Sequence, residues 1–285
     1  MSPQANDGID MEFIAACIQL NAQDDINAGM EMAQQYVREA VSKGANFITL
    51  PENAFYMQEP GKGAPPSPDA AIALCSALAR ELKIWLLIGS VQMPAAENKS
   101  CNRSLLIDDQ GNIVAHYDKI HLFDVTLKNG EHYHESARIA GGDKAVIAQM
   151  PWGKLGMTVC YDVRFPHLYR TLAQAGADFL SVPAAFTVTT GTAHWHVLLR
   201  TRAIENGCYV FAPAQCGSHP GNRHTYGHSL IVAPWGEIIA EASADKTGII
   251  TATIDTDKIA EARAMIPSLK HDRVFTLSAS ALNTW

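Results

Sequence analysis

The sequence predicts an α/β layered fold with a mixed sheet. Apolar strand-like runs alternate with segments whose apolar residues recur at helical spacing, the pattern typical of layered α/β domains. The segments 102–118 and 226–241 each indicate two strands joined by a short turn, which adds antiparallel pairs to the parallel ones. With 285 residues, 47% of them hydrophobic and 18% charged, the chain is long enough to bury a large core.

The first half of the chain predicts strands and helices in turn. EFIAACIQL (12–20) predicts a buried strand, and an apolar stripe within 25–43 predicts a helix that Gly44 ends. The elements predicted after it are strand 47–53, a Pro/Gly loop 60–68, helix 69–83, strand 84–91 and the hairpin strands 102–108 and 112–118.

The second half continues the alternation after an irregular stretch. Residues 119–143 show no clear period and predict a long loop. Then follow strands 144–150 and 154–160, helix 166–175, strand 178–182, helix 192–206, strand 208–214, a Gly/His/Pro loop 215–225, two strands around PWGE (234–237), strand 247–254 and helix 256–265. We expect a disordered lead (1–10) and one domain (11–285) that ends in a C-terminal tail from about residue 268.

Composition narrows the partners and the compartment. The net charge of -7 and the absence of Lys/Arg-rich stretches argue against nucleic acid and membrane as partners. The first residues, MSPQANDGID, lack the basic and apolar regions of a signal peptide. Six cysteines without a C-x-x-C pair indicate reduced thiols. The sequence therefore predicts a cytoplasmic protein.

Three reactive side chains follow three predicted strands. Glu52 comes after FITLP, Lys119 after IVAHYD and Cys160 after KLGMTV. Ligands of open α/β folds bind beyond the carboxyl ends of the strands, so these side chains can meet there. Each alone has an ordinary explanation: a surface carboxylate, a surface lysine and a core thiol. Together they predict a nucleophilic thiol with Glu52 as its base and Lys119 stabilising negative charge.

Other hydrolase chemistries fit the sequence less well. The eleven histidines include the pairs His132/His134 and His194/His196, but i, i+2 side chains diverge on a helix, and no H-E-x-x-H motif occurs. The sequence also lacks G-x-S-x-G and a P-loop. It therefore predicts no metal and no cofactor, with a zinc hydrolase as the rival of different chemistry.

Several motifs make the chain similar to a known family. It resembles the nitrilase superfamily, the carbon–nitrogen hydrolases, from about residue 12 to 270. The resemblance rests on LPENAF (50–55), YDKIHLFDV (117–125), HES (134–136), VCYDVRFP (159–166), GTAHWHVLLRTRAIENGCYV (191–210), AQCGSHPGNRHTYGHS (214–229) and PWGE (234–237). The resemblance implies a four-layer α-β-β-α sandwich with mixed sheets and a cofactor-free enzyme.

The resemblance also implies catalytic roles. It assigns the family's Glu/Lys/Cys set to Glu52, Lys119 and Cys160, and it makes Glu135 the second glutamate near the lysine. The oxyanion hole would consist of Lys119 and the backbone N–H of Tyr161. The implied reaction is hydrolysis of an amide to acid and ammonia through a thioester on Cys160.

The implied substrate is a small amide that carries carboxylates. The sequence is most similar to the deaminated glutathione amidase branch, with ω-amidase acting on α-ketoglutaramate as the alternative. We expect Arg164 to bind a carboxylate, beside the loop carboxylate Asp162. The remaining substrate-binding candidates are Phe186, Thr190, His219 and Arg223, with His224 in the same loop as the last two.

Three further alternatives remain open at this point. The Glu/Lys/Cys set does not separate an amidase from a nitrilase or an N-carbamoylase, and an inactive scaffold could keep the same fold. The resemblance also implies a homodimer or larger homo-oligomer, formed through the helix at 166–175 and the tail at 268–285.

Overall fold

The computed structural model describes residues 12–59, 62–127 and 130–278. The predicted lead (1–10) and the last part of the tail (279–285) lie outside these ranges. The strands are β1 (Glu12–Gln19), β2 (Phe47–Thr49), β3 (Trp85–Pro94), β4 (Ser100–Ile107), β5 (Ile113–Asp118), β6 (Asp124–Thr126), β7 (His132–His134), β8 (Val146–Met150), β9 (Gly153–Met157), β10 (Phe179–Ser181), β11 (Tyr209–Ala212), β12 (Cys216–His219), β13 (Arg223–Tyr226), β14 (Leu230–Val232), β15 (Ile238–Glu241) and β16 (Gly248–Asp255). The helices are α1 (Ile26–Ser42), α2 (Asp69–Leu82), α3 (Pro166–Gln174), α4 (Val188–Asn206) and α5 (Asp257–Met265).

Two six-stranded sheets form the centre of the molecule. One has the strand order β16-β1-β2-β3-β4-β5 and the other β15-β14-β11-β10-β9-β8. In each sheet a parallel set, β1-β2-β3 or β9-β10-β11, is flanked by antiparallel strands. The predicted mixed character of the sheet is confirmed, and the strands divide between two sheets.

Side-chain alternation explains why these sheets pack face to face. Successive side chains of a strand point to opposite faces. In β1, Ala15 and Cys17 belong to the core between the sheets, whereas Ala16 and Ile18 belong to the core under α1 and α2. Aromatic rings join the two sheets, as Phe13 contacts Phe179 and Phe47 contacts Phe211.

The helices cover the outer faces of both sheets. On α1 and α2 the buried residues recur at helical spacing and pack on the first sheet. On the second sheet, Gly156 of β9 lies so close to Leu172 of α3 that a Cβ atom there would come within 3.2 Å of it. The layers are thus helix, sheet, sheet and helix, which confirms the four-layer α-β-β-α sandwich.

Helix ends explain where the predicted bounds shifted. Helix α4 was predicted at 192–206 but begins at Val188, because the Thr187 hydroxyl caps it by accepting the Thr190 N–H. It ends at Asn206, because the next residue, Gly207, has a left-handed φ of 56°. None of the described helices has the length and apolar character needed to cross a membrane.

Two predicted loops contain short hairpins. Within 119–143, β6 pairs with β7 and a 3₁₀ turn follows at Glu135–Ala137. Within 215–225, β12 pairs with β13 around Gly221, whose φ is 73°. The loop predictions were wrong there because strands of three or four residues leave too short a pattern to recognise. The strand predicted at 154–160 also ends sooner, at Met157.

Candidate active site

Glu52 lies in a turn beyond the carboxyl end of β2. Its side chain is buried at 3% exposure. One carboxylate oxygen, Oε2, accepts the backbone N–H of Ala185 at 2.9 Å. The other, Oε1, accepts the side-chain amide of Asn102 at 2.9 Å and the ammonium of Lys119 at 2.9 Å. A carboxylate with this many donors is held in one orientation.

Lys119 follows β5 directly and is buried at 2% exposure. Its Nζ atom donates to Glu52 and to both carboxylate oxygens of Glu135, at 3.0 and 2.9 Å. Burial alone would lower the pKa of the ammonium, but Glu135 and Glu52 together raise this pKa well above its usual value. Lys119 therefore stays charged in an almost dry site.

The same contacts set the charge of Glu52. Burial alone would raise the pKa of its carboxyl, but the charge and hydrogen bond of Lys119, together with a hydrogen bond to Cys160, hold that pKa below its usual range. Glu52 is therefore an ionised carboxylate in contact with a thiol, an arrangement that can accept the thiol proton.

Cys160 lies after β9 at the start of a 3₁₀ turn, Cys160–Arg164. Its φ of 50° is in the left-handed region, which a residue with a side chain rarely adopts. The Cys160 N–H donates to the Pro183 carbonyl at 2.9 Å, a contact that helps to hold the turn. Strained backbone of this kind is found where a side chain must be presented in one direction.

The thiol of Cys160 is protonated at rest. Burial and the negative charge of Glu52 raise the pKa of the thiol well above its usual value, and Lys119 opposes them only in part. A thiol in this state becomes a nucleophile when a neighbouring base removes its proton.

Asp162 corrects one expectation from the sequence. It is fully buried and does not pair with Arg164. Its carboxylate accepts the Tyr117 hydroxyl at 2.7 Å, the Val159 N–H at 2.8 Å, and both the N–H and the ring Nδ1 of His121, at 3.1 and 2.7 Å. Since Tyr117 and His121 flank Lys119, Asp162 joins the turn of Cys160 to the strand end that carries the lysine.

A cavity of about 330 Å³ opens onto these groups. The four residues Glu52, Lys119, Glu135 and Cys160 line its base. Four of the residues predicted for the oxyanion hole and for substrate binding also line it: Tyr161, Phe186, Thr190 and Arg223. The cavity thus brings together side chains that are up to 171 positions apart in the chain, since Glu52 and Arg223 are numbers 52 and 223.

Arg223, at the start of β13, is the only cation among these four residues. Its Nη2 donates to the Ala185 carbonyl at 2.9 Å, and its guanidinium carbon lies 6.0 Å from the centre of the Tyr133 ring. Its buried Nε–H has no hydrogen-bond partner within the part of the chain that the structure describes. A buried donor without a partner is costly, so an anionic group that reached it would be bound strongly.

Arg164 and His219 lie outside the lining of the cavity. The Arg164 Nη1 contacts His194 Nδ1 at 3.1 Å, and its guanidinium lies 5.3 Å from the Phe186 ring, so it supports the wall from behind. His219 uses both ring nitrogens, one with the Ala22 carbonyl at 2.8 Å and one with Thr225 Oγ1 at 2.6 Å. Arg164 therefore packs on the cavity wall at Phe186, whereas His219 contacts residues that do not line the cavity.

Two residues near Glu52 were missed from the sequence. Asn102 of β4 lines the cavity, and its Nδ2 binds Glu52 while its buried Oδ1 meets no hydrogen-bond partner among the described residues. Gln215 donates to the carbonyls of Glu52 and Asn53, at 3.0 and 3.1 Å. Asn102 lies inside a strand and Gln215, which follows the predicted strand 208–214, carries an unreactive amide. The pattern of a reactive side chain directly after a strand therefore does not include either residue.

The two histidines of the α4 pair turn to different partners, whereas both histidines of the β7 pair line the cavity. On α4, His194 turns to Arg164 whereas His196 turns to Glu241, as i, i+2 residues on a helix must diverge. The rings of His132 and His134 in β7 are 6.3 Å apart. Between the carboxylates of Glu52 and Glu135, the position that would suit a cation is filled by the Lys119 ammonium.

Fold and site together define a class: hydrolases that present a buried thiol, carboxylate and ammonium at the end of an α-β-β-α sandwich. The sequence model of the carbon-nitrogen hydrolase family matches residues 14–264. The chain therefore belongs to the carbon-nitrogen hydrolase family, the nitrilase superfamily, and is a hydrolase of amides.

Named relatives agree with this assignment. The deaminated glutathione amidase of Synechocystis sp. is 42% identical over 92% of this chain and 98% of its own length. The deaminated glutathione amidase of Homo sapiens is 37% identical over 93% of this chain and 83% of its own. The crystal structure of Saccharomyces cerevisiae Nit3, described as a member of branch 10 of the nitrilase superfamily, superposes with a TM-score of 0.82 at 28% identity, over 95% of this chain and all of that one.

Proposed function

We propose that this chain hydrolyses the terminal carboxamide of deaminated glutathione to acid and ammonia through a thioester on Cys160. The observation that carries the proposal is the Glu52 carboxylate, which contacts the Cys160 thiol and the Lys119 ammonium in one buried cavity. The two relatives described above, both named for this substrate, support the choice of amide.

Acylation begins with proton transfer from Cys160 to Glu52. The thiolate attacks the carbonyl carbon, and the electron pair of the C=O bond moves to the oxygen. The Lys119 ammonium and the Tyr161 N–H stabilise this oxyanion. The C–N bond then breaks, and Glu52 returns its proton to the departing nitrogen, which leaves as ammonia.

Deacylation uses the same groups with water in place of the thiol. Glu52 removes a proton from water, and the hydroxide attacks the thioester carbon. The C–S bond breaks, the acid is released, and the proton on Glu52 returns to the thiolate of Cys160. Throughout both steps Glu135 keeps the Lys119 ammonium in position, because both of its carboxylate oxygens bind that ammonium.

The far end of the substrate would bind at the wall formed by the β12–β13 hairpin and the start of α4. Arg223 offers its unpartnered Nε–H to a carboxylate. Phe186 and Thr190 form the adjacent wall. Arg164 packs on Phe186 from outside the lining and His219 binds Thr225 of the hairpin, so the effect of either residue on the substrate would be indirect.

The assembly and compartment are part of the proposal. All six cysteines are free, which fits a reducing cytoplasm. We expect the homodimer to form through α3 and the C-terminal tail, where Val274, Phe275 and Leu277 are exposed apolar side chains. Light scattering on the purified protein measures the mass of the assembly.

Ammonia release from a panel of substrates tests the function. The panel contains deaminated glutathione, α-ketoglutaramate, a simple aliphatic amide, an N-carbamoyl amino acid and a nitrile. We expect deaminated glutathione to give the highest kcat/KM, and Arg223→Ala to raise KM for it more than for the aliphatic amide. A nitrile or carbamoyl compound as the best substrate, or no ammonia from any, would contradict the proposal.

A further inference from the structure

A cluster of two imidazoles and a carboxylate lies outside the catalytic cavity, against α4. We propose that His196, His228 and Glu241 form a zinc-binding site that pins α4 to the edge of the second sheet. None of the three lines the catalytic cavity. The proposal is independent of the amidase mechanism.

The three side chains converge on one point. His196 Nε2 lies 2.9 Å and His228 Nδ1 lies 2.8 Å from the same carboxylate oxygen, Glu241 Oε1. The three potential ligand atoms all lie within 4.8 Å of one another. Each side chain is partly exposed, so an ion can enter from solvent.

The spacing is close to what zinc requires. Tetrahedral Zn²⁺ with bonds of about 2.0–2.1 Å to nitrogen and oxygen separates its ligand atoms by about 3.3 Å. The observed nitrogen–oxygen distances of 2.8 and 2.9 Å therefore need to open by about half an ångström. Each neutral imidazole can carry its proton on its other ring nitrogen, which frees the converging nitrogen for the metal.

The ligands come from three elements that are already fixed relative to one another. His196 is in the middle of α4, His228 lies in the turn before β14, and Glu241 ends β15. The indole N–H of Trp195, the fully buried neighbour of His196, donates to the His228 carbonyl at 2.7 Å. This preorganisation lowers the ordering cost of metal binding.

The types of ligand atom select zinc, and the elements that carry them determine what zinc would link. Two imidazoles and one carboxylate suit Zn²⁺ and are poor ligands for Mg²⁺. A bound zinc would keep a fourth position for water. It would also cross-link α4, whose first turn carries Thr190 at the cavity, to the edge strand β15.

Zinc titration of the chelator-treated, full-length protein tests the site. We expect one zinc ion per chain. His196→Gln and Glu241→Gln should each weaken binding by more than the roughly 10- to 100-fold that loss of a mere supporting residue costs. His116→Gln removes an exposed imidazole of β5 in the other sheet and should bind zinc like the wild type.

Two further variants separate this site from the catalytic cavity. Cys160→Ala and His134→Gln should leave the zinc affinity unchanged. Zinc should also raise the unfolding temperature of the wild type and of His116→Gln but not that of His196→Gln. Absence of zinc binding at micromolar concentrations, binding that survives His196→Gln and Glu241→Gln, or binding lost in Cys160→Ala would overturn the proposal.

Discussion

At the residue scale, the central feature is a thiol held at the border between core and cavity. β9 ends at Met157, and the left-handed φ of Cys160 turns the chain into a 3₁₀ turn. The apolar run before Cys160 therefore fixes its backbone, while its side chain faces Glu52 and Lys119. Because the pKa of the thiol is raised and that of Glu52 is lowered, the two share one proton that resides on sulfur until a substrate arrives.

Lys119 carries a prediction at this scale. Lys119→Ala removes the charged oxyanion donor, so we expect kcat to fall at least about 100- to 1,000-fold, which corresponds to about 3–4 kcal/mol of barrier. It also leaves the buried carboxylate of Glu52 beside the partly buried carboxylate of Glu135 without their shared cation, which should lower the free energy of unfolding by about 3–5 kcal/mol. Ammonia release and urea unfolding measure the two effects.

A double variant separates catalysis from folding. In Lys119→Ala/Glu135→Gln one of the two unpaired charges is gone, so we expect the urea midpoint to recover in part while kcat stays low. Activity that recovers together with stability would mean that Lys119 serves folding alone.

Glu52, Lys119 and Cys160 could be predicted from the sequence because each follows a recognisable strand, whereas Glu135 came from the family resemblance alone. The sequence could not predict the role of Asp162 or Asn102, because their partners come from other strands that are distant in the chain. Nor could it predict that Arg164 faces His194 rather than the cavity, since the direction of a side chain in a turn depends on tertiary packing.

At the element scale, Asp162 couples two turns. Its carboxylate accepts hydrogen bonds from the strand end that carries Lys119 and from the turn that carries Cys160. We predict that Asp162→Asn lowers the free energy of unfolding by about 1–3 kcal/mol, because the amide nitrogen faces donors that then lack an acceptor. It should also lower kcat more than it raises KM.

Asp109→Asn is the matched control, since Asp109 is a partly exposed carboxylate in the turn between β4 and β5. We expect its kcat and urea midpoint to stay near wild type. If Asp162→Asn kept the wild-type kcat and lost only stability, Asp162 would serve folding and not catalysis, which would contradict the prediction.

The β12–β13 hairpin carries a pH prediction. Burial lowers the pKa of His219 to about 4, against a usual value of 6.5. Above pH 6.5 the histidine is neutral in both folded and unfolded chains, and below it the unfolded chain binds the extra proton first. Stability should therefore fall from about pH 6.5 to about pH 4, by up to about 3 kcal/mol from this group.

Urea unfolding at pH 7 and pH 4.5 measures this slope. In His219→Gln the carboxylates still titrate, so some pH dependence remains, but the share due to the imidazole should disappear. Equal pH slopes for wild type and His219→Gln would show that the histidine is not responsible.

At the scale of the whole molecule, two sheets place their strand ends on one cavity. Glu52 and Lys119 come from the first sheet, and Cys160 from the second, so the site exists only when both sheets pack. Strand and helix alternation predicted the layers. The division of the strands between two sheets came from the family resemblance, because periodicity does not say which strands pair.

The three proposed zinc ligands could not be recognised from the sequence either. His196, His228 and Glu241 are far apart in the sequence and belong to no metal-binding motif, so the sequence predicted no metal. The predicted hairpin within 226–241 brings His228 close to Glu241, but His196 joins them only through the packing of α4 on this hairpin.

Ammonia release from deaminated glutathione by Cys160→Ala, beside Cys75→Ala and wild type, tests the central claim most directly. Cys75 is also a buried free thiol, but it lies in α2. The thioester mechanism predicts no turnover by Cys160→Ala at a wild-type urea midpoint, with near-normal turnover by Cys75→Ala. Substantial ammonia release by Cys160→Ala would contradict it.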